Sequence, residues 1–479
     1  MSSVLDTSIV ANPSSIPDTA HSAKSRSERH NDGKKLRDVI PRSSHAEWKP
    51  PFNRADVVSS LEESNQDRLT DLIPLRFARM LQSPLAFLRG SAAIMAADLA
   101  SLPTTNIRVQ SCGDCHLQNF GWFATPERNL IFDITDFDES RRAPWEWDVK
   151  RLVASVVLTA RELKVPASKS RQEELGRATV KSYREHLAEF ETMSPLEMWY
   201  VRLDATELMN RSPEIGTKER CRQILDAARQ RTIDQLLPKI TQRVNGKLQF
   251  KDRPPLISHP TQFDRLPKEI HALIQQYRGT LSDERRLLLD RYRMVDVAYK
   301  VVGVGSVGLR CGIILMLDPD DAALVLQIKE ARASVLEKFV GKSDRTHHGH
   351  RIVHGQRVMQ AASDQFLGWA NDSEGRSFYF RQLRDMKLSV GIDQMTLTDL
   401  EDYAKMCGWT LARAHAKAGD ASMISGYLGS GETFDEALGK FGLDYADQSE
   451  ADFQALQTAA DSGRIPVAKD PGLKKGPLD

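Results

Sequence analysis

The sequence predicts an α+β fold, a largely helical body carrying a small antiparallel sheet. Three observations lead there. The segments PWEWDVKRLVASVVLTARELK and LEDYAKMCGWTLARAHAKA space their apolar residues three and four apart, as a helix with one buried face requires. From about Met294 the texture changes to β-branched runs, VDVAYKVVGVGSVG, LRCGIILML and ALVLQIKE, separated by a Gly-rich turn and by Asp318-Pro319-Asp320-Asp321. Before that change, residues 168–290 are charged and mostly helical in pattern, with a proline-containing loop at RPPLISHP.

The length of 479 residues suits one large two-lobed unit or several domains, and 41% hydrophobic residues suffice for a core. Lys and Arg number 66 against 65 Asp and Glu, a formal charge of +1, which argues against a chain whose main business is gripping a nucleic-acid backbone. No stretch approaches the roughly 18 consecutive apolar residues of a membrane span, so no membrane partner is expected. The N-terminus lacks the basic start and long apolar stretch of a secretory signal, which makes the cytoplasm the expected location. Five cysteines, an odd number, point to free thiols over a disulfide framework.

Residues 1–47, rich in Ser, Pro, Asn and charge, are expected to form a disordered tail. Residues 48–165 open the folded body: SAAIMAADLA suits a buried helix, IRVQSCGDCHLQNFGWF and LIFDITDFDES read as short strands around a polar loop, and Asp148 is expected to cap the helix that follows. Residues 166–293 are expected as helices supplying a substrate segment. Residues 294–395 are expected as a three-stranded antiparallel meander with FYFRQL as a further strand. Residues 396–464 are expected as helices completing the body, and 465–479 as a loose tail.

Chemistry concentrates in Gly113-Asp114-Cys115-His116-Leu117-Gln118-Asn119, followed by Asp133, Asp136 and Asp138. An Asp and an Asn five residues apart on one tight loop can face a common point, the Asp orienting or deprotonating a hydroxyl and the Asn ligating a divalent ion. A carboxylate on the next strand completes such a site, and phosphoryl transfer needs this division of labour because it is mainly positioning and charge neutralisation. Singly, each of these residues reads as a turn former or a solvated acid.

The string Gly303-Val304-Gly305-Ser306-Val307-Gly308 matches GxGxxG, but strand-like LRCGIILML follows it. A Gly-rich hairpin whose N–H groups approach phosphates is therefore expected, rather than the strand-to-helix turn of an NAD-dependent oxidoreductase. A β-turn with glycines chosen only for positive φ is the plainer alternative. Lys329 closes the strand LVLQIK and could reach those phosphates, or simply snorkel. Cys112-Gly113-Asp114-Cys115-His116 formally matches the CxxCH of haem attachment, which needs export; zinc would want a second ligand pair, and Cys221, Cys311 and Cys407 stand isolated. His347, His348, His350 and His354 read as a solvated loop. Arg89 and Arg381, each beside apolar residues, could pair with carboxylates of the site or with phosphate, but read first as structural salt-bridge partners.

GDCHLQN resembles the GDxHxxN catalytic loop of aminoglycoside and choline phosphotransferases, and TDFD resembles the metal-binding Asp-Phe element that follows it. Over its folded length the chain is similar to the bacterial family known as domain of unknown function 2252, through SPLAFLRG, GDCHLQNFG, DFDES, PWEWDVKRL, VVGVGSVGLR, QIKEA, RQLRDMK and LARAHAKAGDA. The kinase resemblance implies Asp114, with His116 of the same loop, as catalytic and Asn119 and Asp136 as Mg²⁺ ligands. It implies Gly303, Gly305, Ser306 and Gly308 as the phosphate-covering loop and Lys329 as the lysine on the phosphates of ATP or another nucleoside triphosphate. The usual order runs Gly-rich loop, lysine, helix, catalytic loop, metal Asp. Here the catalytic block comes about 180 residues before the glycines.

The resemblance therefore implies a two-lobed kinase-like fold in circularly permuted order, in which the helix ending LARAH packs beside residue 113. Asp420 competes for the catalytic role, but Ser425 stands where an Asn is wanted. Glu330 and Glu337 are both open as partners of Lys329. The functional expectation is ATP- and Mg²⁺-dependent phosphoryl transfer to an unidentified small-molecule or protein acceptor. A nucleotide-binding pseudoenzyme or regulatory scaffold, or a nucleotidylyltransferase on the same fold, is the alternative. On the leading reading, Lys329 and the glycines face Asp114, Asn119 and Asp136 across one cleft.

Overall fold

Two of the apolar runs after Met294, Cys311–Leu317 and Ala323–Ala331, become strands buried on both faces, which is why they read as nearly continuous rather than alternating. A computed structural model describes residues 24–163, 167–211, 215–259, 266–301, 303–383, 386–389, 391–392 and 395–469. Among them, Arg293–Lys300, Cys311–Leu317 and Ala323–Ala331 form the antiparallel meander, with Cys311 opposite Lys329 and Leu317 opposite Ala323. Ser377–Gln382, which contains FYFRQ, pairs next to Ala323–Ala331. Gly368–Asn371 and Ile257–Ser258 then close the two edges of a six-stranded sheet.

Alternate residues of the central strands feed different cores. Ile314, Met316, Leu326 and Ile328 pack with Ile270, Leu273 and Tyr277 of the helix Leu266–Gly279. Ile313, Leu315 and Val325 pack with Leu236 and Ile240 of Ile233–Ile240 and with Phe250 of the hairpin Thr241–Val244/Lys247–Phe250. This corrects the expected division at residue 293. The later part of 166–293 is not a separate helical substrate segment: it contains strands, and it covers both faces of the sheet.

The helical body is organised around Trp145–Glu162, whose residues are buried from Trp145 to Ala160. Lys169–Thr192, Leu397–Ala418 and Thr433–Asp461 contribute Leu175, Tyr183, Leu411 and Phe441 to the same core. Asp148 does not cap this helix. Its N-cap is Pro144, without a side-chain cap bond, and Asp148 turns inward, fully buried.

Residues 24–47 depart from the tail expectation; 1–23 lie outside the described residues. Arg26–Val39 is a helix started by a capping box, Ser25 to Glu28, a signal legible in the sequence as Ser-x-x-Glu. It crosses Ala421–Leu428 at glycines: a Cβ on Gly33 would lie 2.0 Å from the Met423 carbonyl oxygen, and one on Gly426 2.0 Å from that of His30. Arg37 and Arg42 donate to the carbonyls of Tyr427 and Leu428, and buried His45 meets Tyr427 Oη at 2.8 Å. Charge hides this helix from a hydrophobic pattern because its glycines, not a greasy stripe, make the contact. Of the expected C-terminal tail, 465–469 is irregular and the rest lies outside the described residues.

No helix among the described residues is long and apolar enough to cross a membrane.

Candidate functional site

The loop after Arg108–Ser111 is shaped by Asp148. Its carboxylate accepts the N–H groups of Cys112 (2.9 Å) and Gly113 (3.1 Å), and His415 Nε2 lies 3.3 Å away. Gly113 has φ +80°, and a Cβ there would sit 2.2 Å from the Glu139 carbonyl oxygen, so the turn requires glycine. Tyr403 donates to the carbonyls of Leu117 and Phe120. Leu397–Ala418, late in the sequence, thus braces this early loop.

The loop and the following strand end deliver Asp114, His116, Asn119, Asp136, Asp138 and Glu139 to one cavity of about 200 Å³, and the turn after Arg293–Lys300 delivers Gly303, Gly305 and Ser306. Segments from opposite halves of the chain therefore meet. Lys329 Nζ donates to Asp138 Oδ2 at 2.6 Å, Tyr379 Oη to Asp138 Oδ1 at 2.6 Å, and Ser306 Oγ lies 3.4 Å from Oδ2. Gly308 is not on the cavity wall: it packs against the Arg68 side chain, and its carbonyl accepts the Leu69 N–H. The turn is followed by strand, not helix, which removes the NAD-oxidoreductase geometry.

The electrostatics separate these groups. Burial raises the Asp114 carboxyl, and the ion pair with Arg151 at 2.5 Å only partly opposes this. Burial, with Arg89 and Arg151 nearby, holds His116 well below the usual imidazole range; this neutral ring is 3.8 Å from Asp114, and its Nδ1 has no partner among the described residues. For Asp138 burial pushes upward, but Lys329 and Tyr379 win and lower it. Lys329 is raised far up by Asp138 in spite of its burial. Neither Glu330 nor Glu337 is the lysine's partner: Glu330 pairs with Arg310 at 3.2 Å, and Glu337 lies 3.9 Å from Arg351.

Asn119 and Asp136 remain the candidate metal ligands, and they fit a hard divalent cation. Asn119 Nδ2 is committed to the Asp114 carbonyl at 2.5 Å, which frees Oδ1 as an oxygen donor. Asp136 accepts only the Asp138 N–H at 3.2 Å and forms no ion pair among the described residues.

The other candidates are consumed by structure. Asp133 is sealed against Arg413 at 2.6 Å. Asp420 caps Ala421–Leu428 and pairs with Arg29, so it is no catalytic-loop residue. Cys112, Cys115 and Asp148 lie within 4.8 Å of one another, but burial pushes both thiols up and Asp148 is spent on the loop N–H groups. The four histidines are not a solvated loop: His347 caps the helix His348–Met359 and His350 stacks on Trp369. What sequence reading missed is the arginines: Arg151 on Asp114, and Arg68, Arg76 and Arg332 beside Arg89 on the cavity wall. The signal was an arginine inside an apolar helix, as in PLRFARM and FLRG.

Residues 68–459 match the model of the family described as an uncharacterized protein conserved in bacteria, DUF2252, and the chain belongs to that family. No curated protein and no solved structure matches it.

Proposed function

We propose that this DUF2252 member is an ATP- and Mg²⁺-dependent phosphotransferase with a permuted, two-lobed, kinase-like fold. The observation that carries the reading is the meeting of Asp114, Asn119, Asp136 and the Gly303–Ser306 turn around one cavity, with Lys329 reaching its edge through Asp138. The order after residue 293 supports it: strand, Gly-rich turn, strand, Lys329 strand, then the helix His348–Met359.

Asn119 and Asp136 would hold Mg²⁺, which when bound neutralises charge on the transferred phosphoryl group. Lys329 pairs with a nucleotide phosphate once drawn from Asp138. Asp114 orients the acceptor hydroxyl and takes its proton; burial makes the carboxylate a stronger base than a solvated Asp, and Arg151 fixes its direction. His116, neutral and beside Asp114, can exchange a hydrogen bond with the acceptor without adding charge. ATP should stabilise the wild type against heat only with Mg²⁺, and the Asp136→Ala variant not at all; an absent Mg²⁺-dependent shift in the wild type sinks the reading.

One observation favours the scaffold alternative: the Arg151 guanidinium already occupies one oxygen of Asp114. Single-turnover assays on Asp114→Asn separate the two, because turnover equal to wild type removes Asp114 from the base role.

A further inference from the structure

The carboxylates of the cavity are nearly all answered by the protein itself. Asp114 has Arg151, Asp138 has Lys329, Glu330 has Arg310, and Glu139 accepts the Val335 N–H at 2.7 Å. The opposite wall is different. Arg76 is 2% exposed, yet its bonds go to neutral acceptors, Asn65 Oδ1 (2.6 Å) and the Gly90 carbonyl (2.7 Å), and its Nε has no partner. Arg68 donates to three backbone carbonyls, those of Ser64, Gly305 and Val307. Arg89 lines the cavity and makes no hydrogen bond or ion pair with the described residues; its Nε is buried without a partner, and it feels the charges of Asp114 and Asp136. Arg332 donates to the Gln66 carbonyl at 2.8 Å and reaches exposed Asp67 at 3.9 Å.

A guanidinium withdrawn from water without an anion costs free energy, and Arg68, Arg76 and Arg332 also repel one another. A folded protein holds such a group where a ligand supplies the missing charge. Among the described residues, Arg68, Arg76 and Arg89 have no carboxylate within ion-pair distance, which suits a phosphate monoester, carrying about −1.5 to −2 at neutral pH, better than a carboxylate.

We infer that this wall binds the phosphate of the acceptor, so that the substrate is a phosphate monoester whose free hydroxyl reaches Asp114. This rests on the phosphotransferase reading. On that reading the donor's phosphates have their own partners, Lys329 and a cation on the Asn119–Asp136 pair.

The test is calorimetric titration of inorganic phosphate into the full chain at fixed ionic strength, with acetate as the monoanion control. A non-hydrolysable ATP analogue with Mg²⁺ is then added at saturation. Phosphate should bind in preference to acetate, should still bind with the analogue present, and should bind at least about tenfold more weakly to Arg89→Gln. Arg89 has no structural bond to lose, so that variant should melt with the wild type. Arg332→Met, whose guanidinium holds the Gln66 carbonyl and a long contact to exposed Asp67, gives a second weakened variant if it does not. Equal affinity for acetate, no phosphate binding, or unchanged affinity in both variants overturns the inference. Displacement of phosphate by the analogue also overturns it, by assigning the wall to the donor. Phosphate binding with no binding of the analogue overturns the phosphotransferase reading while leaving the phosphate site in place.

Discussion

Two buried ion pairs drawn from one short stretch, LIFDITDFDES, show how position decides what a carboxylate is for. Asp133 meets Arg413 and Asp138 meets Lys329, both at 2.6 Å. In the first pair both side chains are 1% exposed, and the Ala361 N–H also binds Asp133, so nothing from outside can enter. In the second the lysine is 3% exposed but Asp138 is 22% exposed and borders the cavity. The first pair ties Leu397–Ala418 to the strand Leu130–Ile134. The second links the six-stranded sheet to the loop that carries Asp136, and on the proposed function its lysine would exchange the carboxylate for a ligand's oxygen. A sealed pair is architecture, whereas a pair with one open face can be rearranged by a substrate.

The sharpest way to break the comparison is Arg413→Leu. It strands a buried carboxylate, and a loss of about 3–5 kcal/mol is expected by chemical denaturation. A loss under 1 kcal/mol would mean that water reaches Asp133.

The sealed neutral pair His45–Tyr427 should respond to acid. Burial, with Lys150 nearby, lowers His45 to about 3 from 6.5, so between these values the unfolded chain binds a proton the folded chain refuses. Stability therefore falls as pH drops below 6.5, by about 2 kcal/mol at pH 5. Hydrogen exchange in Arg26–Val39 should report it, and His45→Asn should flatten the profile over this range.

Lys329→Met, at the open pair, should cost less, about 1–2 kcal/mol, because Asp138 keeps Tyr379 and access to the cavity. Its larger effect should be on nucleotide affinity, with the Mg²⁺-dependent thermal shift abolished. A cost as large as that of Arg413→Leu would make the two pairs equivalent. Asp136→Ala should move the melting temperature least, within about 0.5 kcal/mol, since Asp136 holds no cation.

Much of this was legible early because it is local. Helical spacing in Trp145–Glu162 and Leu397–Ala418, the turn at Asp318–Asp321 and the β-branched runs around it declare themselves within a few residues. That Asp114 and Asn119 share one cavity was legible from the loop Gly113 to Asn119, since the two carry their spacing with them. Three things were not. Asp148 reads as a helix cap by its place in the chain, and only its burial under the loop shows that it serves Cys112 and Gly113. Asp133, Asp136 and Asp138 look interchangeable on paper. The arginines opposite them resemble surface charges unless one knows which helices are buried.

The sequence by itself therefore determined the elements and singled out the loop from Gly113 to Asn119, because backbone preference and apolar period act between near neighbours. The tertiary structure decided pairing: that Lys329 answers Asp138 and not a glutamate, that Arg413 closes Asp133, and that Asp136 is left without a cation. Those outcomes depend on which charges are desolvated together, and partners up to 280 residues apart are set by packing rather than by any local pattern.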